Sequence, residues 1–453
     1  MSKILIVLIA LILATSILTG CVQTDADKKD AVGTTTAATT TTADPNGGNK
    51  EPTDTVFENK TVFRSEHFEI DGKMTKYLYG YILNVYYQYY GQYAPYYVTA
   101  EVVKAQCVDL LVYAEAAKAE GYELSADQLV EISDNVTEME KSLKESGFDT
   151  FADYYGEGVD DAAIVEAMKL QYISNGFYSE QSDKLYDSLA EDKAGLEKYY
   201  DEHKELLFGT CFSATVTKDD FYSRLAAAAT KDEIVAIMDE YCTLEATPAD
   251  DVMGERAVNY PVLKDGETLS AFETWFFDGN REVGDFFADP ESKTVYIVSV
   301  PAKKRTEMLK NAGHILIIPD GTTEAYKNAA KMKAEAILEE YLAGERTKDA
   351  FEKLGNANTK DGNVFYNNIY IGQMVTPFND WVYDESRQAG DTGIVETEYG
   401  YHIMYFVGDG DFKNYEYFAL SELYEKALDD WAAEIAARYE VSTDSAELNK
   451  IIH

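Results

Sequence analysis

Residues 378–391 read FNDWVYDESRQAGD and residues 272–285 read FETWFFDGNREVGD, with six of the fourteen places identical. Phe272, Trp275, Asp278, Arg281, Gly284 and Asp285 recur as Phe378, Trp381, Asp384, Arg387, Gly390 and Asp391. At the same offset of 106, GETLSAF (266–272) lies on GQMVTPF (372–378) and YIVSV (296–300) on HIMYF (402–406), giving eight identities over 35 places. Most are residues that set turns or fill cores. At this offset Met374 stands against Thr268, Gly400 against Thr294 and His402 against Tyr296. One scaffold is written twice, while its chemically able side chains are kept once.

The chain around this echo has 453 residues, more than one core usually serves, which predicts two to four domains. A hydrophobic content of 46% is enough to fold them. The formal charge of −41 argues against nucleic acid, whose phosphates need a basic footprint. No D-x-[DN]-x-[DN]-G loop is present to bind calcium.

The N-terminus carries an address. Lys3 precedes the apolar run ILIVLIALILATSI, which is short for a membrane span and is followed by LTGC ending at Cys21. Leu18-Thr19-Gly20-Cys21 resembles the bacterial lipobox, which implies a signal peptide over 1–20 and a lipidated Cys21. The alternative is an ordinary signal with a chance cysteine. Acyl chains hold a protein to a membrane at about 0.8 kcal/mol per buried CH₂. A Thr/Ala-rich stretch, 21–58, follows as a tether, of which the 34 residues 22–55 alone could reach roughly 110 Å. Of Cys107, Cys211 and Cys242, the last two are the pair an exported protein could oxidise, and buried thiols are the plainer reading. No Cys/His cluster suggests a metal.

From 59 to 204 the pattern is helical. SADQLVEISDNVTEMEKSLKESG opens on a capping box, Ser125 with Gln128, and closes at Gly147. YLYGYILNVYYQYYGQYAPYYV is crowded with tyrosines that either cradle unfolded chains or pack a helix with wet hydroxyls. Near the C-terminus Leu420, Tyr424, Leu428, Trp431, Ile435 and Tyr439 form an apolar stripe that must lie on something, expected to be the N-terminal helices.

In the second copy the predicted order is strand GHILIIP, helix TEAYKNAAKMKAEAILEEYLAGE, short helix KDAFEKLG, loop NTKDGNVF, helix TPFNDWVYD and strand EYGYHIMYFVG. GHILI, GQMVTPF and EYGYHIMY, in that order and spacing, resemble a parvulin-type peptidyl-prolyl cis-trans isomerase. The wider layout resembles PrsA-type foldases, and the doubled unit resembles SurA-type chaperones. The resemblance implies an α+β multidomain fold: a helical chaperone-like domain (59–204) completed by the C-terminal helix (412–453), plus two parvulin-like units with small antiparallel sheets. The first (205–304) is expected to be degenerate, since FGTCFSATVTKDD offers no histidine; the second (305–411) is expected to be the isomerase.

Rotation about an X-Pro bond crosses a barrier near 18–20 kcal/mol without breaking a bond, so a catalyst must favour the twisted amide. The resemblance implies that His314 and His402 are paired histidines on adjacent strands, that Met374 and Phe378 form the proline socket, and that Gln373 lies at the substrate. Parvulins usually carry Cys or Asp just before the glycine loop; here the candidates are Asn356 and Asn358, whose amides tune an imidazole less than a charge does. No cofactor or metal is implied. Basic residues for a phosphate-binding loop are absent, so phospho-Ser/Thr-Pro selectivity is not expected.

The expected function is that of a foldase, lipid-anchored on the outer face of a bacterial membrane, that isomerises X-Pro bonds in unfolded exported proteins. A holdase with weak or no isomerase activity is the alternative. A solute-binding lipoprotein fits the signal and the acidity but not the three motifs. Client identity, residue preference before proline and oligomeric state are not written in the sequence.

Overall fold

The computed structural model describes residues 58–452 apart from 217, 219, 229–232, 234, 235, 238, 239, 241–253, 262 and 265. The signal peptide, Cys21, nearly all of the tether and Cys242 lie outside the described residues, and with them the lipid anchor and the Cys211–Cys242 pairing. Among the described residues no helix is long and apolar enough to cross a membrane.

The chain opens with two short strands, β1 (Thr61–Arg64) and β2 (Glu69–Asp71). Helices follow: α1 (Gly72–Tyr90), α2 (Ala94–Tyr97), α3 (Ala100–Ala119), α4 (Ala126–Glu145), α5 (Phe151–Tyr155), α6 (Asp161–Glu191) and α7 (Lys193–Glu202). The first copy of the echo comprises β3 (Phe208–Thr215), α8 (Phe221–Ala227), β4 (Gly254–Asn259), α9 (Ala271–Phe276), β5 (Phe286–Asp289) and β6 (Thr294–Val300). The second comprises β7 (Met308–Ile317), α10 (Glu324–Ala343), α11 (Lys348–Asn358), β8 (Phe365–Ile369), α12 (Thr376–Tyr383), β9 (Thr392–Thr397) and β10 (Gly400–Lys413). Helix α13 (Asn414–Arg438), β11 (Ser442–Thr443) and α14 (Ser445–Ile452) end it.

Contacts divide the chain into two compact units, one running to Ser188 and resuming at Tyr424, the other spanning Leu189–Leu423. Both echo copies lie in the second of these units.

In the helical unit, local rules hold. Ser125 Oγ accepts from Gln128 N at 3.2 Å, and Gln128 Oε1 accepts from Ser125 N at 2.9 Å, the capping box the sequence predicts. A small sheet of order β11-β1-β2, which the helical pattern does not announce, buries Phe63 and Ile70 beside Leu78, Leu111 and Ile164. Leu428, Trp431 and Ile435 pack with Tyr113, Phe177 and Tyr178, and Trp431 stacks on Tyr113 at 5.5 Å. Leu420 joins a different cluster, with Leu196, Leu309 and Tyr415 in the second unit.

The second unit holds two four-stranded antiparallel sheets, ordered β4-β3-β6-β5 and β8-β7-β10-β9, which correspond place for place. The echoed residues explain the likeness. Arg281 lies over Trp275 at 4.8 Å and pairs with Asp278; Arg387 lies over Trp381 at 4.3 Å and pairs with Asp384 at 3.6 Å. The constant offset nevertheless fails past Asp391. Val298 N donates to Asp285 O in the first copy, whereas Phe406 N donates to Asp391 O in the second. Strand β9 is longer and its hairpin tighter, so the register moves by two residues. By strand pairing, Ser213 (opposite Tyr296) and Thr294 (opposite Thr215) occupy the places of His314 (opposite Met404) and His402 (opposite Leu316). Tyr296 is therefore not the counterpart of His402, although the first copy still lacks both imidazoles.

Alternation along β7 and β10 separates two faces. Ile315, Ile317, Tyr401, Ile403 and Tyr405 pack under α10 and α11 with Ala334, Ile337 and Phe351. Ala312, Met404 and Phe406 pack against Phe378 and Val382 of α12. His314 and His402 share the parity of this second face. Burial of each large apolar side chain contributes roughly 1.5–3 kcal/mol, which fixes the register.

Candidate functional site

Because His314 pairs opposite Met404 and His402 opposite Leu316, the two imidazoles are diagonal neighbours on the central strands. Gly400 makes the approach possible: its φ is +138°, and a Cβ there would lie 2.4 Å from Ile317 O. His314 Nδ1 and His402 Nδ1 are 2.8 Å apart, and both side chains are buried. Phe378 meets the rings edge-on, at 5.4 Å from His314 and 5.7 Å from His402.

Each outer ring nitrogen has a partner. His314 Nε2 lies 3.2 Å from Asp361 Oδ2, and His402 Nε2 lies 2.8 Å from Thr397 Oγ1. The carboxylate can only accept, so His314 donates from Nε2 and accepts at Nδ1. His402 then donates from Nδ1 and accepts the Thr397 hydroxyl proton at Nε2. One direction of donation, Thr397 to His402 to His314 to Asp361, satisfies all four groups with neutral rings. Tyr366 also donates its hydroxyl to Asp361 Oδ2 at 3.2 Å.

Electrostatics agrees with that assignment. Burial lowers the His314 pKa below the ordinary imidazole value against the opposing pull of Asp361. Burial, then the neighbouring His314, pushes His402 down to about 4. At neutral pH the pair carries no proton beyond its two N–H groups.

Asp361 occupies the position expected of Asn356 or Asn358. Asn358 Nδ2 donates back to Leu354 O at 3.1 Å, and Asn356 is exposed on α11, so neither amide reaches the imidazoles. The loop between α11 and β8 instead folds against β7: Lys360 N donates to Leu316 O, and Thr359 Oγ1 accepts from Leu316 N and from Asp361 N. A carboxylate is thereby delivered three residues later in the chain than the sequence reading looked. Thr397 and Tyr366 were missed for the same reason, since long-range strand pairing places them. The DG pair at 361–362 was the one available signal.

Met374 is half-buried and packs against the cluster that holds Phe378, Val382, Met404 and Phe406. Phe378 is only 2% exposed, so it forms the floor under the imidazoles while Met374 stands at the rim. The loop bearing Met374 is pinned by side-chain amides: Asn414 Oδ1 accepts from Ile371 N at 2.7 Å, and buried Asn379 Oδ1 accepts from Gly372 N at 3.0 Å. Gln373 does the same work. Its Oε1 accepts from Tyr370 N at 3.0 Å, so the side chain expected at the substrate closes the turn instead. The site thus combines an apolar floor and rim with a neutral, redirectable hydrogen-bond chain. Among the described residues no His/Cys/Asp/Glu cluster is arranged to hold a metal.

Residues 314–408 match the family described as Rotamase, PPIC-type PPIASE domain. This segment is a parvulin-type peptidyl-prolyl cis-trans isomerase domain. The match begins at His314 and takes in Asp361, Met374, Phe378, Thr397 and His402. No curated protein gives a significant match to the chain. Among solved structures, PrsA from Bacillus subtilis aligns at 14% identity over 80% of this chain and 85% of its own, with a TM-score of 0.24. The peptidylprolyl isomerase PrsA from Bacillus cereus aligns at 14% identity over 65% and 94% respectively, with a TM-score of 0.20. The foldase protein PrsA from Lactococcus lactis aligns at 12% identity over 66% and 100%, with a TM-score of 0.20. Overlaps this loose carry no functional argument; the isomerase domain rests on its family match.

Proposed function

We propose that the protein is an extracytoplasmic foldase, tethered through a lipidated Cys21, whose 305–411 domain isomerises X-Pro bonds in exported chains. The carrying observation is the pair of buried, uncharged imidazoles 2.8 Å apart above the Phe378 ring, inside an isomerase domain. The uncatalysed rotation takes tens to hundreds of seconds, slow enough to delay folding. In our reading, Met374 and Phe378 hold the proline ring in water-poor surroundings. There the twisted amide, which has lost resonance, is less penalised than it is in water. The imidazole chain supplies a donor or acceptor beside the carbonyl by reorienting, without importing a charge. His314 and His402 are the catalytic candidates, Asp361 and Thr397 hold their tautomers, and 205–304 serves as a binding platform or spacer.

A second reading, a holdase, is favoured by one observation. Tyr89, Tyr93, Tyr96 and Tyr97 are 50–80% exposed around the end of α1 and α2, an aromatic surface suited to unfolded chains. Isomerisation of a proline peptide by the full chain and by His402→Ala separates the two. Catalysis lost in the variant supports the foldase; no rate above background in either protein leaves the holdase.

A further inference from the structure

A small, mostly apolar cavity with a few polar groups in the helical unit has no part in the isomerase chemistry. It has a volume of about 30 Å³, lies between α1, α3 and α6, and is open to solvent on one side. Asp109 and Gln106 are among its lining residues, and Asp109 Oδ2 and Gln106 Nε2 are buried without a hydrogen-bond partner. Gln106 is 93% buried, a side chain that a folded protein leaves unpaired only at a cost. Tyr81, Tyr113 and Tyr178 form the surrounding wall.

We propose that this cavity is a binding site for a primary alkylammonium group, the tip of a lysine side chain. A buried carboxylate oxygen without a partner calls for a cation, and no Lys, Arg or His lines the cavity. The space suits a head the size of one or two water molecules, and the open side leaves room for an alkyl stem. Three phenol rings suit an ammonium but not an anion. The Gln106 amide, turned over, presents its carbonyl as a second acceptor. A chain of net charge −41 draws such groups in from a distance. Tyr81 sits on α1 about two turns before the exposed Tyr89, so a polypeptide lying on the tyrosine surface has the site within reach. That the amine comes from a client chain rests on the unfolded-chain binding proposed above; the amine site itself does not.

Burial raises the Asp109 pKa to about 6, so the carboxylate is available at neutral pH and lost in mild acid. Of the other titratable groups around it, burial drives Cys107, Tyr113 and Tyr178 up, away from those pH values.

The test uses calorimetric titration of the full chain with n-butylammonium, N-acetyl-lysine methylamide and N-acetyl-norleucine methylamide. A lysine-bearing unfolded peptide and its norleucine twin are added as a second arm. The site predicts that both amines compete, that Asp109→Asn weakens them at least tenfold, and that binding fades between pH 7.5 and 5. Norleucine should not bind, and the lysine peptide should bind at least tenfold more tightly than its twin. Asp109→Asn is isosteric and lies outside the isomerase domain, so its isomerase rate and helix content should match the parent. Tyr81→Leu, at the half-buried lip, should also weaken the amines and guards against misfolding of the first variant. Equal amine affinity in Asp109→Asn would mean diffuse attraction to an acidic protein, or an ordered water only, and overturns the site. Amine binding without any lysine-peptide preference overturns the client as its source.

Discussion

If the isomerase imidazoles are held neutral by burial, acid must work against the folded domain in a calculable way. An exposed histidine titrates near 6.5, and His402 in the folded domain near 4. Between those values the unfolded chain holds the proton that the folded one refuses. The folded pKa is depressed, so the stabilisation is complete above pH 6.5, falls as pH drops toward 4, and changes no further once both states are protonated. The interval is about 2.5 in pH, and at about 1.4 kcal/mol per tenfold proton concentration the loss from His402 is roughly 3 kcal/mol. His314, also lowered, acts in the same direction. Urea unfolding from pH 8 to 4, read by hydrogen exchange of peptides from β7 and β10, measures the slope. His402→Gln keeps a hydrogen-bonding side chain but removes the titration, so its curve should run shallower than the parent's over this window. Carboxylates titrate in both proteins and cancel in the difference. Parallel curves would refute the neutral, desolvated pair.

Asp361→Ala should lower kcat/KM about tenfold or more by freeing the His314 tautomer; because Asp361 is part-exposed, stability should fall by only about 1 kcal/mol. Asn356→Ala and Asn358→Ala should leave the rate unchanged, which a coupled proline-peptide assay checks. Phe378→Ala should cost about 3–5 kcal/mol, since its ring is buried in the core, whereas Met374→Ala should raise KM with a smaller loss in melting temperature. Trp431→Ala should cost about 3 kcal/mol in the helical unit and expose α3 to hydrogen exchange while leaving β7 protected.

The parts of the fold that sequence made legible are those written in local rules. The strand-like runs GHILI and EYGYHIMY placed β7 and β10, and the Ser125–Gln128 box placed α4. Strands β8 and β9 were not foreseen because FYNNI and TGIVET are short, polar and at the sheet edges, where pairing rather than composition makes a strand. Asp361 escaped because the Lys360 N–Leu316 O bond and the Thr359 hydroxyl, which accepts from Leu316 N and Asp361 N, carry it to His314, and no periodicity encodes those. The ungapped echo misled at one point: β9 and β10 pair over six positions where β5 and β6 pair over four, which outweighs a hairpin loop two residues shorter and shifts the partner of His402 from Tyr296 to Thr294. Gln373 sat at the right place in the motif, yet its side chain found Tyr370 N closer to hand.

The central claim is that two uncharged imidazoles over an apolar floor assist the twisting of a prolyl amide. The most direct measurement is the cis–trans exchange rate of an Ala-Pro peptide, followed by exchange NMR at pH 7.5 with the parent, His314→Ala and His402→Ala. The account predicts exchange well above the uncatalysed rate for the parent and a fall of tenfold or more in each variant, with Phe378 still protected from solvent. Exchange equally fast in all three proteins would contradict it.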